Sequence, residues 1–177
     1  MKTSLQKIFH SLCSFIVPIL SILFLELIFY LPRTNSFFNI LRFAPFYTGI
    51  YFWLSLRKDI FNIFSVFILG IFADVITSTT IGINLLTFLF LYIISHKMFS
   101  YFNILHFSYS WLLFTVALLI SFIFKSCITS IFYQTLIPIT LATFEFVLIS
   151  SLYPILARFY LYCEIKFIHL EERYESQ

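Results

Sequence analysis

Charge is what this sequence has least of. Asp, Glu, Lys and Arg make up 11% of its 177 residues, while 61% are hydrophobic. An ordinary soluble domain is about a quarter charged and about half apolar. So few charges cannot cover a water-exposed surface, and a mean hydropathy of +0.99 makes the bilayer the natural solvent. The net charge of +3 is small and no dense basic patch accompanies it, which argues against nucleic acid as a partner. Backbone breakers are scarce as well, with three glycines and five prolines, so long helices are the default. No Gly/Ser-rich linker, low-complexity run or internal repeat divides the chain, and residues 1–177 are expected to form a single transmembrane domain. The alternating pattern of a β-barrel strand is missing too; Phe61 to Val75 is apolar on every side.

The chemistry-bearing residues are equally sparse. Cys13, Cys127 and Cys163 fall on different segments without metal-ligand spacing and are expected to be small buried hydrophobes. His10, His96, His106 and His169 fall near segment ends or outside them, and no HExxH motif, Ser/Lys dyad, glycine-rich phosphate loop or paired-Asp motif is present. No catalytic residue, cofactor site or metal site is therefore expected, and the chain is not expected to be an enzyme.

What the sequence does contain is apolar length. A bilayer core takes about 20 apolar residues per helix. The pattern predicts an all-α six-transmembrane-helix bundle with spans near 12–31, 43–56, 60–77, 82–95, 108–131 and 138–161. The second and fourth are short. The first follows Lys2 and Lys7 like a signal peptide, but it is long, contains Glu26 and lacks a small-x-small cleavage site, so an uncleaved helix is expected. Orientation follows the basic residues. An inside N-terminus puts Lys2, Lys7, Arg57, Lys58, Lys97, Arg158, Lys166 and Arg173 on the inner side and leaves Arg33, Arg42 and Lys125 on or near the outer one. Both termini are then cytoplasmic.

Ionisable side chains inside a bilayer cost several kcal/mol unless paired or neutralised. Glu26, Asp74, Lys125 and Glu145 fall inside spans, each roughly 5–10 Å below the outer end at 1.5 Å per residue. They form a polar layer at one depth. Lys125 leaves on span five as Glu145 enters on span six, so an ion pair between them is expected; the alternative is a snorkelling lysine beside a protonated glutamate. Asp74 lies four residues after Gly70, on the same helix face. A glycine there lets a second helix approach closely. The following Thr77-Ser78-Thr79-Thr80-Ile81-Gly82 predicts a tight outer turn, whose hydroxyls or the free amides of the next helix would bond to Asp74; direct contact with a ligand or partner is the competing role. Pro45 and Pro138 suit first helical turns, and Pro154 is expected to kink span six. Tyr51 and Trp53 suit either an interfacial belt or the core.

Spans two through four resemble the MreD family of rod shape-determining proteins. The resemblance is carried by Pro45, Tyr51-Phe52-Trp53, Gly70-Ile71-Phe72-Ala73-Asp74 and Thr79-Thr80-Ile81-Gly82, with Tyr153-Pro154 fitting an aromatic-proline step in the last span. Elsewhere the match is mainly one of hydropathy, and Glu26, Lys125 and Glu145 are not part of the pattern. The resemblance implies a non-enzymatic inner-membrane scaffold of the bacterial cell-elongation machinery. Such a protein binds MreC, a single-span partner, and through it connects to MreB filaments and the peptidoglycan synthases of lateral wall growth. On that reading Gly70, Asp74 and Gly82 shape a helix hairpin beside which a partner helix packs. The family is also similar in fold to the substrate-binding subunits of energy-coupling-factor transporters, whose outward pocket would coincide with Glu26, Asp74 and Glu145. A small-molecule binder or ion-coupled carrier is thus the rival, although span one lacks the alanine docking face of such subunits.

Overall fold

The computed structural model describes the backbone of residues 2–30, 41–58, 61–77, 80, 82–101, 107–134 and 139–166, and side chains within 15–30, 42–58, 61–77, 80, 82–100, 107–134 and 142–166. These residues form six α-helices: α1 (Lys2–Tyr30), α2 (Ala44–Leu56) after a 3₁₀ turn at Leu41–Phe43, α3 (Ile63–Thr77), α4 (Ile83–Tyr101), α5 (Phe107–Tyr133) and α6 (Ile139–Glu164). No strand occurs among the described residues. Three stretches are long and apolar enough to cross a membrane: Ile83–Ser100, Phe107–Tyr133 and Ala142–Glu164. Phe15–Tyr30 and Ile63–Thr77 are shorter apolar helices.

The boundaries follow local chemistry. α3 starts at Ile63 rather than at 60 because the Asn62 side chain accepts the Ser65 amide at 3.2 Å, as an N-cap does. α4 continues past residue 95 to Tyr101, where His96 and Lys97 are exposed and their polarity costs nothing. Its last turn is held by Lys58, whose Nζ donates to the Phe99 carbonyl at 3.0 Å, a cation at the negative end of the helix. α5 stops at Tyr133, and Gln134 turns left-handed at φ 53°, a common way to leave a helix. α6 runs to Glu164 and residues 165–166 continue it as a π-helical turn.

α2 is the axis of the bundle. Its 13 residues reach only about 20 Å, and every residue from Ala44 to Leu54 is buried. A helix apolar on all sides must be covered on all sides. Here the cover comes from α1, α4 and α6, with α5 touching more lightly. Tyr51 and Trp53 are both fully buried, so the core role holds and the interfacial one does not. Tyr51 Oη donates to the Ser110 carbonyl at 3.0 Å, Trp53 Nε1 donates to Ser21 Oγ at 3.0 Å, and Phe52 stacks on Tyr160. Three consecutive aromatics thereby tie α2 to α5, α1 and α6.

Pro154 sits inside α6, and a proline there cannot donate to the carbonyl four residues back. That carbonyl belongs to Ser150, and Trp111 Nε1 of α5 donates to it at 2.9 Å. Beside this gap Tyr153 stacks on Phe114 with centroids 4.4 Å apart, and its hydroxyl pairs with Ser110 Oγ at 3.1 Å. The Tyr153-Pro154 step is therefore the place where α5 locks onto α6. Phe24, Leu27, Phe64, Val75, Leu112 and Val147 face outward, as lipid-facing side chains do in a membrane bundle.

Candidate functional site

Two ends of the bundle differ in chemistry. At one, Arg57 Nε meets Glu164 Oε1 at 3.3 Å close to where Lys58 caps α4. The polar groups singled out in the sequence gather toward the other end, where they settle in three separate places rather than in one pocket.

The first is the hairpin of α3 and α4. Asp74, 1% exposed, accepts the Gly82 amide on Oδ2 at 2.7 Å, the Asn84 amide on Oδ1 at 3.0 Å and the Leu85 amide on Oδ2 at 3.4 Å. The amides opening a helix have no partner within it, and here the carboxylate that takes them comes from the preceding helix. Backbone amides, one of the two kinds of donor expected for Asp74, are engaged. Gly70, one turn earlier, makes the approach possible: a Cβ there would lie 2.7 Å from the Leu85 Cα. Gly82 has φ +110°, a conformation that side chains other than hydrogen resist. Asn84 Nδ2 bonds Thr77 Oγ1 at 3.3 Å, and the Thr80 and Tyr133 hydroxyls bond each other, pinning the turn to the end of α5. Thr79 and Pro138 lie outside the described residues.

The second place surrounds Lys125. The expected ion pair with Glu145 does not form. Glu145 is within electrostatic reach, but the Lys125 ammonium sits 4.2 Å from the centroid of Phe43, 6.0 Å from Tyr47 and 5.9 Å from Phe122. Three ring faces around this half-buried cation attract it, so the lysine has an aromatic cage in place of a carboxylate. The i, i+3 spacing places Phe122 beside Lys125 on α5, but no spacing rule brings in Phe43 and Tyr47, which come from the turn before α2 and from α2.

The third place is Glu26. It is completely buried, and neither carboxylate oxygen has a hydrogen-bond partner among the described residues. Arg42 attracts it without reaching ion-pair distance, its guanidinium standing 4.8 Å over the Tyr30 ring. Such a group is costly. Glu26→Leu, similar in volume and apolar, is expected to raise the melting temperature of the detergent-solubilised protein; a lower one would show that a partner outside the described residues satisfies the carboxylate.

Pro45 occupies the first turn of α2, where its carbonyl accepts Tyr160 Oη at 2.8 Å. The partnership of Arg57 with Glu164, 107 positions apart, was invisible to any local pattern. So was the service of Trp111 and Ser110 to α6. Cys163 is buried as expected, but Cys127 is exposed, since it lies on an outward face of α5 where an apolar thiol meets lipid as readily as protein. Among the described residues no three of His, Cys, Asp and Glu stand close enough to share a metal ion. No protein-family model matches the chain, no curated protein matches it, and no solved structure does.

Proposed function

We propose that the chain is a six-span protein of the bacterial inner membrane, both termini in the cytoplasm, acting as a non-enzymatic scaffold of the cell-elongation machinery in the manner of the MreD family. The observation that carries this reading is what the pattern residues do. Pro45, Tyr51, Trp53, Gly70, Asp74, Gly82 and Tyr153 are all occupied in joining one helix to another. A protein that commits such residues to its own helix contacts, and turns apolar faces outward, offers a rigid surface to another membrane helix. The basic end formed by Arg57, Lys58, Lys97 and Lys166 suits the cytoplasmic side. The short helices α2 and α3 would cross with help from their longer neighbours and local bilayer thinning.

The partner of such a scaffold is an MreC-like single-span protein, with MreB filaments and peptidoglycan synthases reached through it. The second reading, a substrate-binding transporter subunit or an ion-coupled carrier, is favoured by Glu26, whose unsatisfied oxygens suit a proton or cation. Tagged protein purified from native membranes in mild detergent, with mass spectrometry of what accompanies it, separates the two. An MreC-like protein or wall synthases are the expected companions. An ATPase module in their place would overturn the scaffold reading and make Glu26 the first residue to test for ligand binding.

A further inference from the structure

α1 and α6 are neighbours that touch at few points, and between them lies a cavity of about 510 Å³, within the usual size of a small-molecule site. Its walls are two helical stripes, one running from Val17 to Phe24 and the other from Phe159 to Lys166. Both follow the i, i+3, i+4, i+7 spacing that keeps residues on one helix face. The hydroxyl in the first stripe, Ser21, is already engaged, donating to the Pro18 carbonyl at 2.8 Å and accepting from Trp53. Leu20, Phe24, Phe159 and Tyr162 leave the interior apolar.

Lys166 stands at one end of the second stripe, its ammonium 5.5 Å from the Tyr162 ring. This is the end of the bundle where Arg57 and Lys58 also lie. An aromatic ring and a lysine at the mouth of an apolar slot match the headgroup level of a bilayer, and a flexible ammonium suits a phosphate. A stripe of two helical turns is about 10 Å long. That is short for a partner's transmembrane helix, which runs about 20 residues, and fitting for part of an acyl chain.

We propose that this groove binds an anionic phospholipid, with one acyl chain between α1 and α6 and the phosphate on Lys166. The proposal needs only that the protein resides in a membrane and stands apart from the cell-shape reading. Native mass spectrometry of the full-length protein in detergent, titrated with phosphatidylglycerol and then phosphatidylcholine of the same chains, tests it. Phosphatidylglycerol is expected to bind in preference. Lys166→Gln is expected to reduce that preference by about fivefold for the loss of one lysine near an anionic headgroup, and Lys166→Glu, which reverses the charge, to erase it. Leu20→Trp, at a wall position 57% exposed, is expected to fill the slot and weaken both lipids alike. A preference for phosphatidylglycerol unchanged in both Lys166 variants would overturn the phosphate contact, and this holds even if Leu20→Trp fails to fold. Undiminished binding to a folded Leu20→Trp would overturn the chain site. A photo-crosslinker at position 20 that captures a protein helix in native membranes would likewise reassign the groove.

Discussion

Asp74→Leu is expected to destabilise the protein by on the order of 3 kcal/mol, because it strands three backbone donors at once, one buried and two half-buried. The amides of Gly82, Asn84 and Leu85 all end on this one carboxylate. Two of them open α4, where no carbonyl of the helix itself can reach them. An ordinary N-cap is worth about 0.5–2 kcal/mol at a surface, where water takes over when it is lost. Asp74 and Asn84 are buried, so that substitute is least at hand for the Asn84 amide. Asp74→Asn keeps one acceptor oxygen but loses the negative charge facing the helix N-terminus, so it is expected to fall between wild type and the leucine variant. Unfolding in SDS-containing mixed micelles, followed through the fluorescence of Trp53 and Trp111, ranks the three. A leucine variant as stable as wild type would mean that something other than Asp74 satisfies those amides.

Much of this hairpin was legible from residue types alone. A glycine and an acid four positions apart share a face, and a turn rich in small polar residues ending in glycine precedes the next apolar run. Those two facts contain both the close approach of Gly70 to Leu85 and the capping of α4 by Asp74. The apolar runs likewise located the helices, because composition and length carry that signal without any tertiary information. Their ends were less legible. α3 begins where Asn62 caps it, and α4 extends as far as a lysine from another loop can support its last turn.

The tertiary assignments divide in the same way. Lys125 and Glu145 satisfy every sequence criterion for a pair, antiparallel helices, matched depth and opposite sign, yet the ammonium settles among three rings. With 22% aromatic residues in the chain, a half-buried cation has ring faces on offer at almost any position, and for Phe43 and Tyr47 sequence separation hides the partnership. The central place of α2 was hidden for another reason. Shortness on its own marks a segment as marginal for crossing a bilayer, whereas continuous burial from Ala44 to Leu54 shows it to be the element on which the others pack. Tyr51 and Trp53, which suited a membrane interface, were needed inside, since each brings a polar atom that joins it to a neighbouring helix.

Gly70→Ala tests the hairpin from its other side, and its effect is expected to reach about 1–3 kcal/mol, the usual cost of overpacking. The added Cβ would fall 2.7 Å from the Leu85 Cα and 2.7 Å from its Cδ1. The first is a backbone atom, so no rotamer change removes the conflict and α3 must move away from α4. Moving them apart lengthens the bonds from Asp74 to the Asn84 and Leu85 amides, which makes the two sites one energetic unit. Gly70→Ala and Asp74→Leu are therefore expected to be non-additive, the second substitution costing less in the background of the first, as contacting residues behave in double-mutant cycles. Leu85→Ala removes the Cδ1 conflict but leaves the Cα, so it is expected to recover only part of the loss. Gly70→Leu, with a whole side chain to place, is expected to separate the helices and abolish accumulation of the protein in membranes. Full recovery by Leu85→Ala would show that the side chain, and not the backbone of α4, sets the limit on residue size at position 70. Strict additivity with Asp74→Leu would show that the close contact and the cap act independently.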